Sequence, residues 1–174
     1  MVNQNELFDA FDIDGHPLGF DLVRGQVIPD GVYHYIVEIF TFNAKHELLV
    51  TKRHPYKFFP MFWEVTAGAV LKGESPISAA IRELKEETGI EVSENNLIQI
   101  SHIIDHHCFI VSYLVQLDLV NPEIHLEDYE TIEYQWIALN DIFKFISRDD
   151  FVPTSSKRII RHFEMIKSLI INDK

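Results

Sequence analysis

Glu83, Glu86 and Glu87 fall within about a 100° arc if the chain around them is helical. Like charges three or four residues apart destabilise a helix by a few tenths of a kcal/mol per pair unless something neutralises them. A cluster of carboxylate oxygens suits a hard divalent cation such as Mg²⁺, which keeps several waters and bridges to phosphate oxygens. Arg82 lies at the edge of the arc and Lys85 points away from it. Ala79, one turn before Glu83, leaves room above the carboxylates.

The segment carrying them has its own start and stop signals. Ser75 is a good N-cap, and Pro76 suits the first helical position, where its missing N–H costs nothing. Gly89 supplies the left-handed residue that commonly ends a helix. The spacing therefore predicts a helix over Pro76–Thr88, with Ile77, Ala80, Ile81, Leu84 and Thr88 as its buried stripe.

Upstream, Gly68 and Glu74 complete a pattern. Gly68, Glu74, Arg82, Glu83, Glu86, Glu87 and Gly89, with aliphatics at Leu84 and Ile90, match G-x5-E-x7-R-E-U-x-E-E-x-G-U at every defined position. By this box the chain resembles the Nudix hydrolases, which cleave nucleoside diphosphates linked to another group. The resemblance implies that Glu86 and Glu87 bind Mg²⁺ or Mn²⁺, and that Glu83 binds metal or acts as the base. It implies that Arg82 pairs with Glu74 to hold the loop against the helix, and that the carbonyl of Ala67 adds a metal ligand. Glycine is commoner at that last position, but a carbonyl is available from alanine too. The implied chemistry is water attack at phosphorus, with charge stabilisation and a carboxylate base.

Glu6–Phe20 has two short apolar segments around Asp14-Gly15 and predicts a β-hairpin, so residues 1–30 read as a hairpin extension of a single domain spanning 1–174. Val32–Arg53 predicts a second, longer hairpin around Asn43-Ala44-Lys45. A loop from Phe58 leads into a strand that delivers Gly68, and further strands are expected over Leu97–Ile104, Cys108–Leu119 and Ile132–Ile137. Leu139–Ser147 and Pro153–Ile171 read as helices. Strands around one central helix with helices at the end fit an α/β/α sandwich with a mixed sheet, as in the Nudix-type fold.

A looser similarity, in D-I-D-x-x-G, YHYIVEIF, LLVTKR and K-F-F-P-x-F-W-E, is to the Nudix subgroup related to isopentenyl-diphosphate isomerase. Those isomerases have a degenerate box and an essential cysteine in the strand before it. Here the box is intact and Trp63–Gly68 contains no cysteine, so hydrolysis is expected over isomerisation. The other alternative is a non-catalytic nucleotide-binding module, which would be expected to have lost a box glutamate.

Further candidates surround the box. Glu130 and Glu133, in the E-x-x-E-x-x-W spacing before Trp136, are candidate metal-binding acids, with Glu127 and Asp128 nearby. Lys52, Arg53 and Lys57 can hold a diphosphate, Arg53 best because guanidinium pairs bidentately with phosphate. Phe58, Phe59, Phe62 and Trp63 are either stacking surfaces for a base or packing residues.

Composition bounds the rest. The 174 residues are 47% hydrophobic, enough for a real core, and carry a net charge of −12. That charge argues against binding nucleic acid through its phosphates, and leaves a small diphosphate, nucleotide or otherwise, as the expected partner. The single cysteine, Cys108, excludes an intrachain disulfide, suits a reducing cytoplasm and sits in an apolar run as a structural thiol. No secretory leader or apolar run of about 20 residues is expected, so neither is a membrane partner. Homodimerisation is common in the family, with the hairpin and the Phe-rich loop as available surfaces. The proline some fifteen residues past the box in ADP-ribose-cleaving relatives is replaced by Asp105-His106-His107. Nucleoside phosphates, sugar nucleotides and isoprenoid diphosphates all stay open as substrates.

Overall fold

The computed structural model describes residues 6–128 and 130–172. The layers follow from alternation along β3 (His34–Phe42): Phe40 and Phe42 enter one core, while Val37 and Ile39 enter another on the opposite face. Strand side chains point to opposite faces in turn, so an apolar run this long must be buried on both sides. α1 (Pro76–Thr88) covers the Val37–Ile39 face through Ala79, Ala80 and Leu84. α2 (Ile142–Ile146) and α3 (Pro153–Asn172) cover the other through Ile142, Ile146, Ile159, Phe163 and Ile166. The result is the α/β/α sandwich expected from the pattern.

The sheet is mixed. β3 runs parallel to β8 (Cys108–Gln116) over nine registered pairs and antiparallel to the short β6 (Thr66–Ala69). β8 pairs in turn with β7 (Leu97–Asp105). β4 (Glu47–Arg53) pairs with β5 (Trp63–Glu64) and β9 (Thr131–Ala138). The expected β3–β4 hairpin is therefore only partly formed: the two strands register at Phe42 and Leu48, next to the turn. Both edges of β3 are taken by β8 and β6, so β4 diverges and builds its own ladder. This parting matters because Glu38 of β3, Arg53 of β4, Glu64 of β5 and Ala67–Ala69 of β6 all line one cleft.

β1 (Leu7–Phe11) and β2 (Pro17–Val23) form the N-terminal hairpin as a separate two-stranded sheet. Asp12 Oδ1 accepts from the N–H groups of Asp14 and His16 at 2.9 and 2.8 Å, which sets its turn, and Gly15 takes the positive φ of 81°. Phe8, Ala10 and Leu22 pack on Val32 and Ala69. Gly73 N–H donates to Asp9 Oδ2 (2.7 Å), Lys72 N–H to the Leu7 carbonyl (2.8 Å), and Lys72 Nζ pairs with Asp21 (2.7 Å). The hairpin is thus fastened to the loop that carries Glu74.

Candidate active site

α1 is capped as its ends predict. Ser75 Oγ accepts from Ser78 N–H at 3.2 Å, and Gly89, at φ 72°, donates its N–H to the Lys85 carbonyl. Its buried face is rotated from the expected stripe: Ile77 and Ile81 are only half-buried, whereas Ala79 and Glu87 are buried. The physical reason is that the acidic side is roofed. Lys57 Nζ lies 3.4 Å from Glu87 Oε1 and 2.5 Å from Glu130, and Thr131 Oγ1 donates to the Glu87 carbonyl.

Arg82 is the hub of the loop–helix unit. Its Nε and Nη2 grip both oxygens of Glu74 at 3.0 and 2.9 Å, and Nη2 also donates to the Ala69 carbonyl at 3.0 Å. Its Nη1 bonds Glu83 and Glu86 at 2.8 and 2.9 Å. Glu74 Oε2 accepts from Leu71 N–H as well. Burial works against the charge of Arg82, but these carboxylates outweigh it and raise its pKa far above the ordinary arginine value.

Electrostatically the cleft is unusual. Burial, aided by Glu64, Glu83 and Glu130 and opposed by Lys57, pushes the Glu87 carboxyl up to about 8. Glu87 is 2% exposed, and among the described residues its Oε2 has no hydrogen-bond partner. Burial likewise raises Glu83 against the pull of Arg82, and Glu64 against that of Arg53. The Lys57 pKa is raised too: burial works against its charge, but Glu87, Glu64 and Glu130 outweigh it and hold the amine protonated. Buried carboxylates that repel one another, with one orphaned oxygen, have the donor chemistry that would suit a divalent cation.

Most of the residues expected from the sequence meet in this cleft, of about 800 Å³. Arg53, Lys57, Ala67, Arg82, Glu83, Glu86, Glu87 and Glu130 line it, while Glu74 stands behind Arg82. Lys52 and Glu133 do not line it; they pair with each other at 3.3 Å on the β4–β9 ladder. Trp63 does not line it either. Its ring is 2% exposed in the core and meets Phe145 edge-on, because β5 turns it to the α2–α3 face. Phe58 and Phe59 are the aromatics of that loop that reach the cleft.

Sequence reasoning missed Glu64, Glu38 and Arg158. Glu64 pairs with Arg53 Nη1 deep in the cleft. Glu38, fully buried, accepts from Arg158 Nε and Ser155 Oγ at 2.9 and 3.0 Å. The available signal was an acid inside an apolar strand, as in YIVEIF and WEV, since buried carboxylates are rare unless paired. Elsewhere, Asp12, Asp14 and His16 bring their ligand atoms within 4.8 Å of one another, but they form the exposed hairpin turn described above. Among the described residues, no helix is long and apolar enough to cross a membrane.

Comparison with known proteins agrees with this geometry. Residues 32–163 match the NUDIX domain family model, leaving the hairpin outside it. An uncharacterised Nudix hydrolase of Listeria innocua is 28% identical over 75% of this chain and 79% of its own length. An isopentenyl-diphosphate Delta-isomerase of Citrobacter koseri is 26% identical over 78% of this chain and 79% of its own. A solved structure from Deinococcus radiodurans superimposes with a TM-score of 0.74 at 19% identity, covering 90% of this chain and 98% of that one.

Proposed function

From the premise that the chain belongs to the Nudix family and is a hydrolase of diphosphate bonds, we propose that it cleaves the diphosphate linkage of a small nucleoside diphosphate derivative with Mg²⁺ or Mn²⁺. The observation that carries this reading is Glu87: a buried carboxyl, crowded by other acids, with an oxygen that has no hydrogen-bond partner among the described residues. Glu83, Glu86 and Glu87 are the proposed metal-holding residues, with Glu130 and the Ala67 carbonyl as further donors. A divalent cation bound there would neutralise diphosphate charge and lower the pKa of the attacking water.

The protein's own groups have definable tasks. Arg53 and Lys57 offer cationic donors to the non-bridging phosphate oxygens. Arg53 is aimed by Glu64 and by the Phe58 carbonyl, which accepts from its Nε at 2.6 Å. Glu83 lies against Gly68 and is held by Arg82, so its position is fixed for taking a proton from water. Glu64, buried behind Arg53, is a second carboxylate lining the same cleft. No protein nucleophile is needed. Cys108 is absent from the cleft lining, and burial raises its thiol to about 11, which disfavours an isomerase-like role.

The test is product release from a panel of nucleotide, sugar-nucleotide and isoprenoid diphosphates with Mg²⁺, Mn²⁺ or EDTA, by wild type and Glu86→Gln. Metal-dependent cleavage that collapses in the variant is expected; near-normal turnover by Glu86→Gln overturns the assignment.

A further inference from the structure

The cleft is also lined by residues outside the box, beginning with Glu38, which is registered with Ala67 across the β3–β6 pair. Its far lobe is bounded by the N-terminal hairpin on one side and the start of α3 on the other, with Phe8, Leu22, Ile28 and Ile36 as apolar walls. Arg24 and Arg158 line this lobe from the two sides. Each is anchored in the same way: its Nε donates to a carboxylate, Glu6 for Arg24 at 2.6 Å and Glu38 for Arg158 at 2.9 Å. Among the described residues, neither guanidinium has a hydrogen-bond partner for its two terminal nitrogens.

Two further features lie beside them. Thr154 and Ser155, in the first turn of α3, line the lobe, and first-turn N–H groups have no acceptor within their own helix. His34 also lines it, stacked on Phe8 at 5.1 Å with Nε2 3.3 Å from Cys108 Sγ. His34 is 8% exposed, and among the described residues its Nδ1 has no hydrogen-bond partner. A buried polar ring nitrogen left unpaired is costly unless a ligand or water meets it. The box end is crowded with carboxylates, whereas each acid of the far lobe is already committed to an arginine Nε.

We propose that this lobe binds a second oxyanion of the substrate, a phosphate or carboxylate borne by the group beyond the diphosphate, between the terminal nitrogens of Arg24 and Arg158. The proposal rests on the reading of the box end as the diphosphate-cleaving site. It makes Arg24, which lies outside the region matched by the family, a specificity determinant supplied by the hairpin. In a chain of net charge −12, a doubly anionic substrate needs such local cations at both ends of its site.

The first arm uses inorganic phosphate, with citrate as the carboxylate probe, titrated calorimetrically into the full chain in EDTA. Arg24→Gln is one variant. Arg158→Gln alone would strand buried Glu38, so the second is the double variant Glu38→Gln/Arg158→Gln, its fold checked by circular dichroism. Lys57→Gln reports on anion binding at the box end. The expected result is saturable wild-type binding, weakened about tenfold or more by Arg24→Gln and by the double variant, and less by Lys57→Gln. Tighter phosphate than citrate binding assigns a phosphorylated group, and the reverse assigns a carboxylate. Binding unaffected by both lobe variants, an adventitious weakness with no saturation below about 10 mM, or loss in Lys57→Gln alone overturns the proposal.

The second arm compares metal-dependent hydrolysis of paired diphosphates with and without a phosphate on the distal group. Arg24→Gln should reduce the kcat/KM preference for the doubly anionic member about tenfold. Cleavage in which that preference is absent or unchanged sinks the lobe alone. Failure to cleave any diphosphate, with phosphate binding still dependent on Arg24, sinks the hydrolytic reading and leaves the lobe as an anion site.

Discussion

The carboxylate of Glu83 occupies the space that a side chain at position 68 would need. A Cβ placed on Gly68 would lie 1.9 Å from Glu83 Cδ and 2.0 and 2.4 Å from its two oxygens. The first glycine of the box is therefore required by close approach of a catalytic candidate, since its φ is not in the left-handed region.

Gly68→Ala should separate activity from stability. The obstructing atoms are the far end of a side chain, so Glu83 can swing away at a cost on the order of 1 kcal/mol. Its displacement from Arg82 and from the cleft should lower kcat by about 100-fold or more. Thermal melting and steady-state kinetics on the same preparation check this. A variant that keeps its kcat would mean that the position of Glu83 is not critical.

Glu87→Gln should strengthen the metal-free protein at alkaline pH while abolishing its metal response. The folded carboxyl titrates near 8, above its ordinary 4.5. Its neutral form therefore contributes stability that is complete below pH 4.5 and is lost as pH rises through 8. Glutamine keeps the neutral state throughout. In EDTA at pH 9 the variant should melt about 3 °C above wild type, with little difference at pH 5. Mg²⁺ should raise the melting temperature of wild type only. Equal metal stabilisation of both proteins would remove Glu87 from the donor set.

Cys108 should be inert at neutral pH. With its thiol pushed to about 11 by burial, roughly one molecule in a thousand carries the thiolate at pH 8. Labelling by iodoacetamide should be far slower than for a small thiol and should rise only above pH 10. Turnover should be indifferent to the reagent. Stoichiometric labelling at pH 8 with loss of activity would revive the isomerase-like alternative.

Asp9→Ala should reach the box through its loop. Removing the acceptor of Gly73 N–H frees the turn that ends at Glu74, at a cost of about 1 kcal/mol for one charge-assisted bond at an exposed site. Because Glu74 orients Arg82, and Arg82 holds Glu83, kcat should fall several-fold while KM changes little. Unaltered kcat would show that the loop needs no support from the hairpin.

The pattern in the chain specified a good deal. Ser75, Pro76 and Gly89 bound α1 as their capping chemistry dictates, and the Arg82–Glu74 pair that the resemblance implied forms through two hydrogen bonds. These are local facts, carried by spacing within about one or two dozen residues, where helical geometry leaves few alternatives. The N-terminal hairpin was legible for the same reason: Asp14-Gly15 between apolar segments has one economical solution.

Tertiary structure decided what sequence spacing leaves open. Lys52, Arg53 and Lys57 are all candidates as a basic run, with Arg53 favoured by its guanidinium, yet Lys52 faces Glu133 while Arg53 and Lys57 enter the cleft. Trp63 and Glu64 are neighbours on one short strand, and the pleat sends the first to the core and the second to the site. Glu38 and Arg158 stand 120 positions apart and meet only because β3 carries α3 on one face. A strand's period of two makes face assignment absolute once its partners are known and undetermined before. The partners of β3 and β4, and hence the parting that opens the cleft, come from pairings distant in the chain that no local pattern encodes.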